Sequence, residues 1–141
     1  MSKLLKRLSD AGKSGVYRVG HDHAIREVLT GSAHQVATVE LAKGKDAMIA
    51  SIADALGFPA WFGGNWDALE DCLTDLSWHP AAAARVILFM NPQPGDDFGI
   101  LLDVLQSVAE FWRGRGQPFF SVFVDPEGML ALPALHAEKS R

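Results

Sequence analysis

The chain has 141 residues, of which 48% are hydrophobic and 21% charged, with a formal net charge of −4. This balance suits one globular domain and excludes an intrinsically disordered chain. A single cysteine, Cys72, excludes an internal disulfide and fits a reducing compartment. We see neither an apolar secretory leader nor the roughly 20 consecutive apolar residues of a membrane span, so we expect a cytoplasmic protein.

Short apolar runs alternate with helical patterns along the chain. The predicted strands are a weak candidate at 15–19, a better one at 34–42, and nearly continuous apolar runs at 85–90 and 118–124 that are typical of strands covered on both faces. The predicted helices span residues 22–30, 45–56, 65–77 and 98–113, where apolar residues recur at the spacing of one helix face. Alternation of this kind predicts an α/β fold, in which a single layer of at least three parallel strands packs with about four helices.

The flanks of the chain differ from its centre. We predict an N-terminal extension over 1–34 that packs on or beside the domain, a domain over 35–125, and a tail over 126–141 that is partly loose. Residues 1–26 carry six basic and two acidic side chains, a sum of +4, and their leucines predict a short docked helix. Residues 61–78 carry four acids and no base, a sum of −4.

The acidic segment separates into two arcs when residues 65–76 are placed on a helix. The apolar arc, which must be buried, contains Trp66, Leu69, Cys72, Leu73 and Leu76. The opposite arc contains Asp67, Glu70, Asp71, Thr74 and Asp75. This polar arc therefore faces solvent or a partner.

Helix chemistry explains only part of this charge. Asn65 is a candidate N-cap, and Asp67 suits the positive end of the helix dipole. Asp71 forms like-charge pairs with Asp67 and Asp75, each costing about 0.2–0.5 kcal/mol, and the dipole opposes Asp75 near the C-terminus. Something other than helix stability favours these acids. Such a surface attracts a basic protein and repels nucleic acid.

The same segment resembles the signature of the barstar family, intracellular inhibitors of the ribonuclease barnase. The residues that carry the resemblance are Pro59, Gly63, Asn65, Asp67, Ala68, Leu69, Asp71, Cys72, Leu73 and Thr74. A looser likeness extends over about 35–125 through the order of strands and helices. Residues 1–34 and the tail lie outside it.

The resemblance implies that the helix and the loop before it plug a ribonuclease active site. Asp71 would be the central contact, standing where an RNA phosphate sits, and Asp67 would add a second carboxylate. Trp61 would pack on the enzyme. The expected partner-binding residues are Trp61, Gly63, Gly64, Asn65, Asp67, Ala68, Asp71, Thr74 and Asp75. The likeness implies no cofactor and a basic, extracellular-type ribonuclease or related nuclease as partner.

Three departures bear on the identity of the target. Relative to the family pattern, Trp66 and Glu70 roughly exchange the positions of a bulky and a charged side chain. Gly64 stands where the family pattern has an acidic residue. The family uses a partner-contacting glutamate late in the helix that corresponds to residues 98–113 here. That position aligns with Phe111, one residue after Glu110, so we do not assign this contact to the chain.

Two alternatives stay open. Asp67 and Asp71 could form a carboxylate pair for acid–base or Mg²⁺-assisted hydrolysis, although a convex helix without a nearby base is a poor pocket. The fold could also serve as a binding module for a protein other than a nuclease. His21 and His23 without a third ligand are weak evidence for a metal site. We expect a non-enzymatic monomer without metal, nucleic acid or membrane partners.

Overall fold

The computed structural model describes residues 2–59, 62–79 and 82–136. The helices and strands are α1 (Lys3–Leu8), a 3₁₀ turn (Ala11–Lys13), β1 (Gly15–Val19), α2 (His23–Leu29), β2 (His34–Glu40), α3 (Lys45–Leu56), α4 (Trp66–Asp75), β3 (Ala84–Met90), α5 (Asp96–Gly114) and β4 (Phe119–Val124). Each predicted strand and helix is found within a few residues of its expected bounds. No helix in the described part of the chain is both long and apolar enough to cross a bilayer.

The four strands form one parallel sheet in the order β1-β4-β3-β2. This confirms the predicted α/β fold, and the weak candidate at 15–19 is its fourth strand. All six residues of β4 are buried. Coverage on both faces was expected for the apolar runs of β3 and β4, and it explains why neither alternates between apolar and polar residues.

The helices form a layer on each face of the sheet. On one face, α3, α4 and α5 pack against inward residues such as Val39, Phe89 and Phe123. On the other face, α1 and α2 pack against Leu88 and Phe120. The sheet therefore lies between two apolar cores, and the acidic helix α4 belongs to the larger one.

The two edges of the sheet differ. Along β1, the backbone of Arg18 donates to the Pro133 carbonyl at 2.9 Å and accepts from the Leu135 N–H at 3.0 Å. Leu135 is fully buried in the core beneath α1 and α2. Residues 133–135 thus close this edge, whereas β2 is bonded only to β3 within the described residues. The division into 1–34, 35–125 and 126–141 stays a prediction.

Candidate functional site

The entry to α4 is fixed by a capped helix start. Asn65 has extended backbone angles, with φ −123° and ψ 176°, and its Oδ1 accepts from the Ala68 N–H at 2.7 Å. Its carbonyl accepts from the Leu69 N–H at 2.9 Å. Gly64, just before it, has φ +76°, a left-handed angle that favours glycine. The loop therefore meets the helix in a defined geometry, as the N-cap prediction required.

The apolar arc of α4 is buried as predicted. Leu69, Cys72 and Leu73 have no exposed surface, and Trp66 is half-buried against the same core. Leu76 ends the helix in the left-handed region, at φ 51°, and is only 3% exposed. A leucine is unusual there, and its burial offsets the local strain.

One tryptophan bonds to the end of α4, and a second lies in the segment that follows this helix. Trp112 of α5 donates its indole N–H to the Leu73 carbonyl at 2.9 Å. Leu73 lies in the last turn, where a carbonyl has no intrahelical partner. Trp78 and His79, which follow α4, both reach the Leu56 carbonyl at the end of α3, at 3.3 and 2.5 Å. Trp112 is half-buried against the same core, and no local pattern in the sequence indicates this bond.

The acidic arc faces outward. Asp67, Asp71 and Asp75 are all exposed. Successive aspartates of this row are spaced about 6 Å apart along the helix axis. Within the described residues, none of them forms an ion pair; the ion pair seen there joins Asp22 to Arg26 on α2. Glu70 and Thr74 are half-buried, and the Thr74 hydroxyl donates back to the Glu70 carbonyl at 2.9 Å. The exposed row is therefore three aspartates.

The other predicted site residues lie at the N-terminal end of this row. Gly63, Gly64 and Asn65 are exposed, and Ala68 is half-buried. Trp61 falls outside the described residues. The partner-binding role of the whole set stays a prediction.

A groove that the sequence did not reveal borders the site. It has a volume of about 310 Å³ and lies between α3 and the loop before α4, lined by Asp46, Ile49, Ala50, Ala53, Asp54, Phe62 and Gly64. Asp46 and Asp54 are both exposed. No local pattern in the sequence indicates that α3 borders residues 62–64. Acidic side chains thus continue from α4 onto α3.

Cys72 is an inert part of the core. Burial raises the pKa of its thiol, and the charges of Asp75 and Asp71 raise that pKa further. The thiolate is therefore disfavoured, which argues against a nucleophilic role. Late in α5, Glu110 is exposed, whereas Phe111 is half-buried with the Arg115 guanidinium 4.5 Å from its ring centre.

A comparison with known protein families matches the central part of the chain. The family described as barstar (barnase inhibitor) matches residues 34–124. The chain belongs to the barstar family. The barstar-family portion runs from β2 to β4 and contains α3, α4 and α5, so the acidic helix lies well inside it.

Barstar is an inhibitor family rather than a catalytic one, and its members bind ribonucleases such as barnase. This gives the chain a barnase-inhibitor-like role at the level of the family. No curated protein matches the sequence. The segments α1, β1 and α2 lie before the barstar match and build one edge and one face of the sheet.

Proposed function

We propose that this barstar-family protein is a stoichiometric inhibitor of a basic ribonuclease. In this proposal α4 enters the active site of the enzyme and excludes RNA. Asp71 stands at the centre of the contact, with its carboxylate in the place of an RNA phosphate among cationic side chains. Asp67 and Asp75 extend the contact along the helix, and residues 63–65 approach the rim of the cleft.

The observation that carries the proposal is the exposed row of aspartates on α4. Their charges are not neutralised by an ion pair within the described residues, so they are available to an external cation. Carboxylates form short, often bidentate hydrogen bonds with guanidinium groups. An acidic face also speeds the encounter with a basic enzyme through its long-range field.

The rigid support of α4 adds to this argument. The Asn65 cap, the buried leucine face and the Trp112 bond hold the helix in place before any partner arrives. A preformed surface avoids much of the ordering cost of association. The same features disfavour a flexible recognition segment that folds on binding.

The carboxylate-pair hydrolase fits these features less well. Asp67 and Asp71 are exposed on the outside of a helix, whereas catalytic pairs work in concave, water-excluding sites. A partner other than a nuclease fits the surface equally by charge, and the inhibition assay separates the two.

Titration of the protein into a panel of small basic ribonucleases, with RNA cleavage as the readout, tests the proposal. Cleavage by the cognate enzyme should stop at an equimolar ratio. Asp71→Asn should raise the dissociation constant roughly 10- to 150-fold, because a hydrogen bond to a charged group contributes about 1.5–3 kcal/mol.

Glu27→Gln is the matched control, since it removes one exposed carboxylate from α2 on the opposite face of the sheet. It should leave inhibition unchanged. Equal potency of Asp71→Asn and the unaltered protein would reject the role of Asp71. Binding to a partner without ribonuclease activity, with no inhibition across the panel, would favour the binding module.

A further inference from the structure

The groove between α3 and the loop before α4 is apolar in the middle and acidic at its ends. Its α3 side is one stripe of that helix, in which two carboxylates flank three apolar residues: Asp46, Ile49, Ala50, Ala53 and Asp54. These positions recur at the three- and four-residue spacing of a single helix face. The remaining lining residues are Phe62 and Gly64. A side chain that fits this groove combines an apolar stem with a positive charge.

The carboxylate of Asp54 stands where helix stability does not favour it. α3 ends at Leu56, so Asp54 lies in the last turn, where the negative end of the helix dipole opposes an acid. That turn contains no basic side chain. Asp46, by contrast, lies in the first turn, where the dipole favours it. Asp54 therefore resembles Asp75 at the end of α4, and the dipole adds to the attraction of its carboxylate for a cation.

Both carboxylates of the groove are available to an external cation. Asp46 and Asp54 are exposed, and neither forms an ion pair with any residue that the structure describes. The grooves beside α1 on the other face of the sheet are instead lined by Lys3 and Arg7. An acidic lining is thus a property of this groove and not of the whole surface, and it favours a basic occupant by charge.

The mouth of the groove lies beside the start of the acidic helix. Gly64 lines the groove and directly precedes Asn65, the N-cap of α4. Gly64 has the left-handed angle φ +76°, and a Cβ built there would meet no heavy atom beyond its chain neighbours within 4 Å. This position therefore leaves the passage between α4 and the groove open. A partner that lies on α4 can reach into the groove without displacing part of the chain.

We infer that this groove receives an arginine side chain of the basic ribonuclease that α4 inhibits, an inference that rests on the proposed function. The guanidinium lies beside the Asp54 carboxylate, and the aliphatic stem lies on Ile49 and Ala53. Arginine suits the groove better than lysine, because its guanidinium is less strongly hydrated, stacks on aromatic rings and binds a carboxylate through two parallel hydrogen bonds. Phe62 supplies a ring, packed edge-on against Phe58 with ring centres 4.9 Å apart.

The groove makes α3 part of the surface that selects the enzyme. The aspartates of α4 suit any cluster of cationic side chains, whereas the groove requires one arginine at a fixed position relative to that cluster. A ribonuclease with lysine or with no cation at this position would be bound less tightly. Discrimination between related basic enzymes then depends on two helices rather than one.

A small probe tests the groove without any ribonuclease. N-acetyl-arginine amide is titrated into the ¹⁵N-labelled protein and followed by NMR, with N-acetyl-lysine amide as the comparison. The arginine probe should shift the amide resonances of Ala50, Ala53 and Gly64 saturably, with a dissociation constant on the order of millimolar for a ligand of this size. The lysine probe should bind at least roughly threefold more weakly.

Two variants assign these shifts. Asp54→Asn should weaken binding of the arginine probe roughly 3- to 10-fold, between the effect of an exposed ion pair and that of a desolvated charged hydrogen bond. Glu27→Gln removes the same charge from the opposite face of the sheet and should change nothing. The absence of saturable shifts, or equal binding by Asp54→Asn, would overturn the groove as an arginine site. Equal binding of the two probes would overturn the preference for arginine.

Inhibition assays test whether the arginine belongs to the ribonuclease. With an enzyme that the protein inhibits, Asp54→Asn should raise the dissociation constant roughly 3- to 10-fold, and this effect should add to that of Asp71→Asn because the contacts are separate. Ala50→Phe should fill the groove and weaken inhibition at least as much. Ala55→Phe is its matched control, since Ala55 is exposed on α3 outside the groove, and it should leave inhibition unchanged. Both variants should keep the circular dichroism spectrum of the unaltered protein.

Failure of the groove and failure of the proposed function give different results. If Asp71→Asn weakens inhibition while Asp54→Asn and Ala50→Phe do not, the groove does not contact the enzyme and the proposed function stands. If no enzyme in the panel is inhibited while the arginine probe still binds at Asp54, the ribonuclease is wrong as the source of the arginine and the proposed function fails.

Discussion

The helices α1 and α4 are built alike on opposite faces of the sheet. Each buries leucines on one side, Leu4 and Leu8 in α1 and Leu69 and Leu73 in α4. Each also exposes a charged side, and the charge of one is the reverse of the other. Burial against the sheet therefore determines where each helix lies but does not determine the sign of its outer face.

The charges differ in how well they suit the helix that carries them. Lys6 and Arg7 lie in the last turn of α1, where the negative end of the dipole favours them. Asp75 lies in the last turn of α4, where the dipole opposes it, and Asp71 precedes it by four residues. Helix stability accounts for Lys6 and Arg7, although not for Lys3 in the first turn of α1. It does not account for the acidic face of α4, which is why a partner enters the explanation.

The largest expected effect tests the feature that the two helices share. Leu73→Ala should lower the free energy of unfolding by about 2–5 kcal/mol, because it opens a cavity in the larger core. Leu8→Ala should fall in the same range in the smaller core. Urea denaturation measures both. A loss below about 1 kcal/mol for either leucine would contradict the burial described for that helix.

The next effect isolates the support that α4 has from α5. Trp112→Phe removes the indole donor and leaves the Leu73 carbonyl without it, so the free energy of unfolding should fall by about 1–3 kcal/mol. The reaction of Cys72 with a thiol reagent should also accelerate, since this buried thiol, whose pKa is raised, reacts only when α4 opens. Trp78→Phe is the control, because its bond goes to Leu56 at the end of α3. Equal acceleration in both variants would contradict a specific role for Trp112.

The sequence predicted those parts of α4 that depend on local periodicity. The spacing of Trp66, Leu69, Cys72 and Leu73 separates a buried arc from an exposed one, because a helix repeats about every 3.6 residues. The strands at 85–90 and 118–124 were equally evident, since burial on both faces demands continuous apolar residues. The Asn65 cap was predicted for the same local reason.

Features that depend on distant parts of the chain were not predictable in this way. Nothing local indicates that β1 pairs with β4, or that residues 133–135 close its edge. The groove between α3 and the loop before α4 arises from packing between two segments. The left-handed Leu76 runs against its own conformational preference, and only its burial explains it.

A smaller effect compares the helix caps. Asn65 Oδ1 accepts from Ala68 N–H, and Ser2 Oγ accepts from Leu5 N–H at 3.0 Å. Asn65→Ala should cost about 0.5–2 kcal/mol of stability. Ser2→Ala should cost less, because α1 has only six residues and so few backbone hydrogen bonds depend on its cap. Thermal denaturation can rank them, and a larger effect at Ser2 would contradict the firmer anchoring of α4.

The smallest expected change in stability comes from reversing one charge in the last turn of each helix, which tests directly why α1 is basic and α4 is acidic. Asp75→Lys replaces a repulsion with an attraction between Asp71 and the introduced ammonium group and reverses the sign at the end of the dipole, so it should raise the free energy of unfolding by about 0.5–1 kcal/mol at low salt. Inhibition should weaken at the same time. Lys6→Glu makes the opposite change in α1 and should lower stability by a few tenths of a kcal/mol without altering inhibition. If Asp75→Lys stabilised the protein and left inhibition intact, the acidic end of α4 would carry a stability cost that partner binding does not explain.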